Sequence, residues 1–175
     1  TALSNLPFIC GLIDEINSLP GNHIEVYDST YLINLDDGEG NLYSSDPDGT
    51  LDSIIENITN NDCTNFVFLL GIKAFVNDLS DEYKAKFDEF VATLNEKNAY
   101  LFIVDNYSSL KKITLDKWYI DNADNSCGIW IGTGLNVQVV FNINNLIADD
   151  ANASFEGLVY AINDGEYRVI KGIGE

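Results

Sequence analysis

Apolar residues at Leu6, Ile9, Leu12, Ile13 and Ile16 recur at intervals of three and four. That spacing places them on one helical face, so residues 5–18 are predicted as a helix, with Pro7 tolerable only in its first turn. The stretch "LPGNH" (19–23) breaks the pattern with a turn. "IEVYDS" (24–29) then alternates apolar and polar residues before an Asp and a Ser, as a strand ending at the carboxyl edge of a sheet would. Residues 34–50, dense in Asp, Gly and Ser, are predicted as one long exposed loop between two elements of a single domain. A short helix follows over 51–61, with Leu51, Ile54, Ile55 and Ile58 on one face.

"TNFVFLLGIKAFVNDL" (64–79) reads as a buried strand running straight into an amphipathic helix. Its apolar run lacks polar alternation, which predicts a central strand covered on both faces in a parallel sheet. Ser80 is expected to cap a helix over 81–97, with Asp81 and Glu82 at its positive end and Tyr83, Phe87, Phe90, Val91 and Leu94 facing inward. Residues 99–106 and 127–132 are predicted as two further buried strands, separated by a mixed helical and irregular stretch. Two β-patterned runs flank Asp164-Gly165, a type I′ hairpin signal. Helix and strand alternate to about residue 132 and a hairpin closes the chain. The expected architecture is a three-layer α/β domain spanning 1–175 with a mostly parallel sheet.

Charge narrows the function classes. The 175 residues carry 9 Lys plus Arg against 28 Asp plus Glu, a formal net charge of −19. Residues 1–72 contain no Lys or Arg, and seven of the nine cations fall between Lys73 and Lys117. Binding a polyanion requires cations that displace counterions, so the composition argues against nucleic acid and against direct contact with an anionic membrane. No run approaches the ~18 uninterrupted apolar residues of a membrane helix, and the first residues show no basic stretch followed by an apolar one. Cys10, Cys63 and Cys127 lie far apart without metal-ligand spacing, as buried cysteines of a reducing compartment do. The sequons at Asn57, Asn106 and Asn152 read as chance matches.

Other constellations are weak on their own residues. Asp46, Asp48, Thr50 and Asp52 alternate as in a calcium loop, and a frame starting at Ser44 puts Gly49 sixth; Ile55 stands where the bidentate Glu is required. His23, Asp28 and Ser29 could form a triad, but there is no nucleophile elbow around the serine. "GTGLN" (132–136) has two glycines after an apolar strand and lacks the third glycine and the lysine of a phosphate loop, which favours a tight turn.

Taken in order, "FVFLLGIKAFVNDLSDEYKAKFDEFV", "NAYLFIVDNYSSL", "CGIWIGTGLNVQVVFNI" and "EGLVYAINDGEYRVIKGI" resemble the last ATPase-like domain of type VII secretion coupling proteins, motors of the FtsK/SpoIIIE class with a RecA-like, P-loop-derived fold. The resemblance runs from about residue 24 onward. It rests most on the strand–helix pair at 66–94, on Gly134, Asn136, Gln138 and Phe141, and on the terminal hairpin. It implies that the Walker B acidic pair falls on Leu70 and Gly71, neither of which can bind magnesium. It implies that Thr1 would be the last residue of the phosphate loop, and that Asp105 and Asn106 occupy the polar sensor position, where they could touch a γ-phosphate or cap the next turn. The expectation is a degenerate, non-catalytic domain without a cofactor of its own, inside a parent motor that uses ATP and magnesium. Such a domain would be cytoplasmic, in a protein anchored to the cell membrane. Its partners would be small helical export substrates and the other ATPase domains of the motor. The alternatives are an active ATPase domain truncated after its phosphate loop and a structural ring-packing domain. The cation-rich segment suggests a substrate groove near 73–119, with Lys73, Lys84, Lys111, Lys112 and Lys117 steering an acidic flank and Trp118 and Tyr119 as anchors. Those aromatics could equally fill the core. Phe141 is expected to be buried, and Asn136 to satisfy the turn after strand 127–132.

Overall fold

The computed structural model describes residues 6–35, 40–147 and 158–171. Thr1 and the sequon at Asn152 lie outside the described residues. The chain forms two compact units, Thr1–Ser109 and Leu110–Glu175.

The first unit is built on four parallel strands in the order β2-β1-β3-β4, where β1 is Asn22–Asp28, β2 Gly40–Tyr43, β3 Thr64–Leu70 and β4 Ala99–Val104. Ile24, Val26, Phe68 and Leu70 point to one face and pack against Ile9, Ile13 and Ile16 of α1 (Leu6–Ser18), as the helical spacing requires. The opposite face meets α2 (Pro47–Asn60), α3 (Ile72–Asp78) and α4 (Asp81–Ala92). There the ring of Tyr27 of β1 meets that of Phe75 of α3 at a tilt of 59°, 4.7 Å between ring centres, and Phe75 meets Phe87 of α4 edge-on at 5.9 Å. Helices on both faces of a parallel sheet make this unit an α/β fold. β3 lies between two neighbours, with Val67, Phe68, Leu69 and Leu70 all buried, matching the reading of a strand covered on both sides.

Several expectations are corrected. The Asp/Gly-rich segment is not one loop: β2 adds to β1 in parallel register, Val26 opposite Leu42, and α2 begins at Pro47. Glu25, read as the polar side of an alternating strand, is fully buried, because α2 covers that face; Asn57 of α2 donates to the Tyr43 hydroxyl at 3.1 Å. Helix 81–97 ends earlier, at Ala92. Thr93 turns its hydroxyl back onto the carbonyls of Glu89 and Phe90, and a 3₁₀ turn, Leu94–Lys97, finishes the segment. Ser80 stands at the cap position without a side-chain cap bond; its N–H donates instead to Asp48 of α2 at 3.0 Å. β4 is half-buried and lies on the edge of the sheet, not in its interior.

The second unit holds α6 (Lys117–Asn122) and a three-stranded antiparallel sheet in the order β5-β6-β7, from Gly128–Ile131, Leu158–Asn163 and Glu166–Lys171; α5 (Tyr107–Ile113) leads into it. Strand 127–132 therefore belongs to a separate antiparallel sheet and is half-exposed, which corrects its reading as a third buried strand of the parallel sheet. The hairpin forms as expected, with Asp164 at φ 52° and Gly165 at φ 74°, the left-handed pair of a type I′ turn. Leu135, Tyr160 and Ile162 form its core, with Trp130, Phe141 and Tyr167 packed around them.

Candidate functional site

In open parallel sheets ligands bind outside the carboxyl ends of the strands, where the chain's direction of travel across the sheet switches. Here the switch lies between β1 and β3. The residues gathered there are Asp28, Ser29 and Thr30 after β1, Leu70, Gly71 and Lys73 around the end of β3, and Asp105 and Asn106 after β4.

Asp28 is fully buried and its carboxylate is saturated. Oδ1 accepts from the Thr30 N–H at 2.8 Å and from the Thr30 hydroxyl; Oδ2 accepts from the N–H groups of Leu32 and Ile33, each at 2.9 Å. Burial alone would push this carboxyl up, but the hydrogen bonds from Thr30, Ile33 and Leu32 outweigh it and hold it below its ordinary value. The acid is a loop anchor with no lone pair turned outward to a ligand. What the loop presents is apolar: Tyr31, held at φ 57°, is 69% exposed and Leu32 is 54% exposed.

At the position the resemblance assigns to catalytic acids, Leu70 is buried and Gly71 takes a left-handed φ of 77° to let α3 begin at once. The Ser29 hydroxyl donates to the Leu70 carbonyl at 3.1 Å and sits 2.1 Å from where a Cβ on Gly71 would be. A carboxylate cannot be placed at Gly71 without displacing Ser29. The Asp105 carboxylate accepts from the backbone N–H of Lys73 at 3.2 Å and from Asn106 N–H at 2.8 Å. Asn106 in turn accepts from Ser109 N–H at 3.1 Å and caps α5. The sensor-like pair thus joins strand ends to helix starts, and Gly71 N–H closes the edge on the Val104 carbonyl at 2.8 Å.

The other constellations separate. His23 and Asp28 stand at opposite ends of β1, about 17 Å apart at ~3.3 Å per residue, so no triad forms. His23 Nε2 instead meets Glu25 Oε1 at 2.5 Å, and Asn41 donates to the same oxygen at 2.9 Å. This buried carboxylate went unnoticed in the sequence, and no local pattern marks it. The calcium-like acids diverge: Asp46 caps its own helix through Gly49 N–H, Asp48 receives Ser80 N–H, and Asp52 of α2 receives the Tyr83 hydroxyl at 2.7 Å and the Lys86 ammonium from α4. Among the described residues, no group of three His, Cys, Asp or Glu could hold a metal.

The expected anchors Trp118 and Tyr119 are buried, 6% and 7% exposed, which removes them from any groove rim; burial also pushes the Tyr119 phenol up. Of the steering lysines, Lys73 and Lys84 belong to the first unit and Lys111, Lys112 and Lys117 to the second. Lys84 pairs with Asp81 and Lys117 with Asp121, one helical turn away in each case. At the glycine motif, Gly134 has φ 83° and turns the chain. Gln138 ties this turn together: its Oε1 accepts from Val140 and Phe141 N–H, both at 2.7 Å, and its Nε2 donates to the Phe141 carbonyl at 2.9 Å. Asn136 is exposed, and Phe141 is half-buried with its ring over Gly128, 2.2 Å from where a Cβ would stand. Among the described residues no helix is long and apolar enough to cross a membrane. No family model, no curated protein and no solved structure matches this chain.

Proposed function

We propose that the chain is a non-catalytic RecA-like domain of a type VII secretion motor of the FtsK/SpoIIIE class, cytoplasmic within a membrane-anchored parent. Its role is to recognise small helical export substrates or to pack against neighbouring ATPase domains. The observation that carries the non-catalytic reading is the engagement of Asp28 and Asp105, the carboxylates gathered at the carboxyl edge among the described residues. Asp28 and Asp105 hold backbone N–H groups, and Leu70 and Gly71 stand where metal-binding acids would act. Phosphoryl transfer depends on positioned cations and a metal, and losing one such group already costs orders of magnitude in rate.

The recognition role is supported by Tyr31 and Leu32, two large apolar side chains presented to solvent on a loop fixed by four hydrogen bonds to Asp28. Rigid aromatic and aliphatic anchors of this kind lose little entropy when an amphipathic helix docks. Two titrations test the reading. Isothermal calorimetry with Mg-ATP is expected to give no heat of binding; micromolar affinity defeats the non-catalytic half. Binding of small helical secretion substrates is expected with a Kd of about micromolar order, weakened roughly tenfold or more by Tyr31→Ala, since truncating an anchor costs ~1–2 kcal/mol. Equal binding by both proteins removes Tyr31 as an anchor, and absence of binding by the wild type leaves only motor packing.

A further inference from the structure

The edge strand β4 has an unusual sequence for its place. Ala99-Tyr-Leu-Phe-Ile-Val104 is six apolar residues with no charge and no proline, at the edge of a parallel sheet. Natural sheets protect such edges with lysines, prolines, bulges or very short strands. The opposite edge, β2, has only four residues. β4 has none of these protections.

The hydrogen-bond parity of β4 follows from its register. Val104 lies opposite Leu70 and its carbonyl accepts from Gly71 N–H, so the backbone polar groups of Val104 face β3. In a strand the N–H and C=O of one residue point to the same side and alternate along the chain. Phe102 and Tyr100 therefore also face β3, while the N–H and C=O groups of Leu101 and Ile103 point away from the sheet. Among the described residues no strand pairs with that outer side. Leu101, Phe102, Ile103 and Val104 are each half-buried, and Tyr100 is 55% exposed.

We propose that β4 receives an extended segment of another protein by strand addition, and that this segment is apolar and alternating with Lys or Arg at its ends. The backbone pairing comes from the outward groups of Leu101 and Ile103, and the sign of the flanking charge comes from the unit that carries them. Residues 1–109 hold 4 Lys and 19 Asp plus Glu. A second copy would bring the same net charge of −15 to the edge and is disfavoured; a basic-ended strand is attracted. The inference rests on the sheet and its charge, independently of any secretion role.

The test uses the full chain and a fluorescein-labelled peptide, Lys-Lys-Val-Thr-Val-Thr-Val-Thr-Lys-Lys. Anisotropy is expected to rise saturably, with at least a tenfold weaker Kd for the same peptide with Glu in place of Lys, and weakening as salt is raised. Leu101→Pro removes an outward N–H while sparing the ladder to β3, so the variant keeps its circular dichroism and loses peptide binding. Hydrogen exchange on the wild type gives a readout that needs no variant: the peptide should newly protect the Leu101 and Ile103 amides and leave those of Tyr100 and Phe102 unchanged. Binding without that alternation, undiminished binding by a folded Leu101→Pro protein, or no binding at all overturns the proposal. So does concentration-dependent dimerisation through these same amides, which would make a second copy the occupant.

Discussion

Replacing Asp28 by alanine is the most informative single perturbation of the first unit. The carboxylate is buried and accepts from three backbone N–H groups and one hydroxyl. Alanine leaves those donors without an acceptor. Leu32 is 54% exposed, so its amide can turn to water; Ile33 is 6% exposed and its amide cannot. With Ile33 stranded and Thr30 partly so, at about 1–3 kcal/mol for each buried donor left unpaired, the expected loss is roughly 2–5 kcal/mol. Asp28→Asn keeps one acceptor oxygen and should lose less, about 1–2 kcal/mol. The pH dependence has a definite sign. Because the folded carboxyl lies below its ordinary value, its contribution is fully present above the unfolded value of about 4 and is lost as pH falls through the lower folded value. The alanine variant should lack that acid-limb contribution. Both tryptophans, Trp118 and Trp130, belong to residues 110–175, so their fluorescence does not report on this unit directly. Hydrogen exchange of residues 22–33 in a urea series is the specific assay. A loss under about 1 kcal/mol, with exchange of the Ile33 amide unchanged, would refute the reasoning.

Three further outcomes are expected. Gly128→Ala pushes a methyl into the Phe141 ring and should destabilise the second unit by about 1–3 kcal/mol, read by tryptophan fluorescence in denaturant, with Phe141→Ala relieving part of that cost in the double variant. Gln138→Ala removes the acceptor for the Val140 and Phe141 amides and should cost about 1–3 kcal/mol in the same assay. Tyr83, whose hydroxyl donates to Asp52, is pushed up to about 12, and Asp52→Asn should bring its NMR titration back toward the ordinary phenol range of about 10; an unchanged titration would mean that the α2–α4 clasp does not form in solution.

Elements whose identity is set by local chemistry were legible in the sequence. The 3.6-residue spacing of Ile9, Ile13 and Ile16 marked α1, the unbroken apolar run of β3 marked an interior strand, and Asp164-Gly165 marked its turn. What depends on partners distant in sequence was not. β2 has weak strand character and exists because it pairs with β1, so its Gly-rich surroundings read as loop. "GIWI" is apolar whether its neighbours run parallel or antiparallel, and only β6 decides which. Glu25 looked like a solvent-facing residue because alternation reports polarity, not the presence of a covering helix. The same limit governed the candidate site. The absence of acids at Leu70 and Gly71 could be read directly, but the exposure of Tyr31 and the burial of Trp118 follow from how Asp28 folds its loop and from packing around α6.

The absence of any Lys or Arg from residues 1–72 has a consequence for the order in which the first unit is assembled. A ribosome releases α1, β1, β2, α2 and β3 as a segment with twelve carboxylates and no cation to draw it together. The first ammonium groups to follow sit on α3 and α4, and one of them, Lys86, reaches back to Asp52 of α2. Lys86 thus ties α4 back to α2 locally, while the acids that α3 and α4 also carry leave the unit as a whole negative. Because repulsion between exposed charges is screened beyond about 10 Å at 0.1 M salt, nascent chains halted before Lys73 should stay expanded in dilute buffer and contract as ionic strength rises.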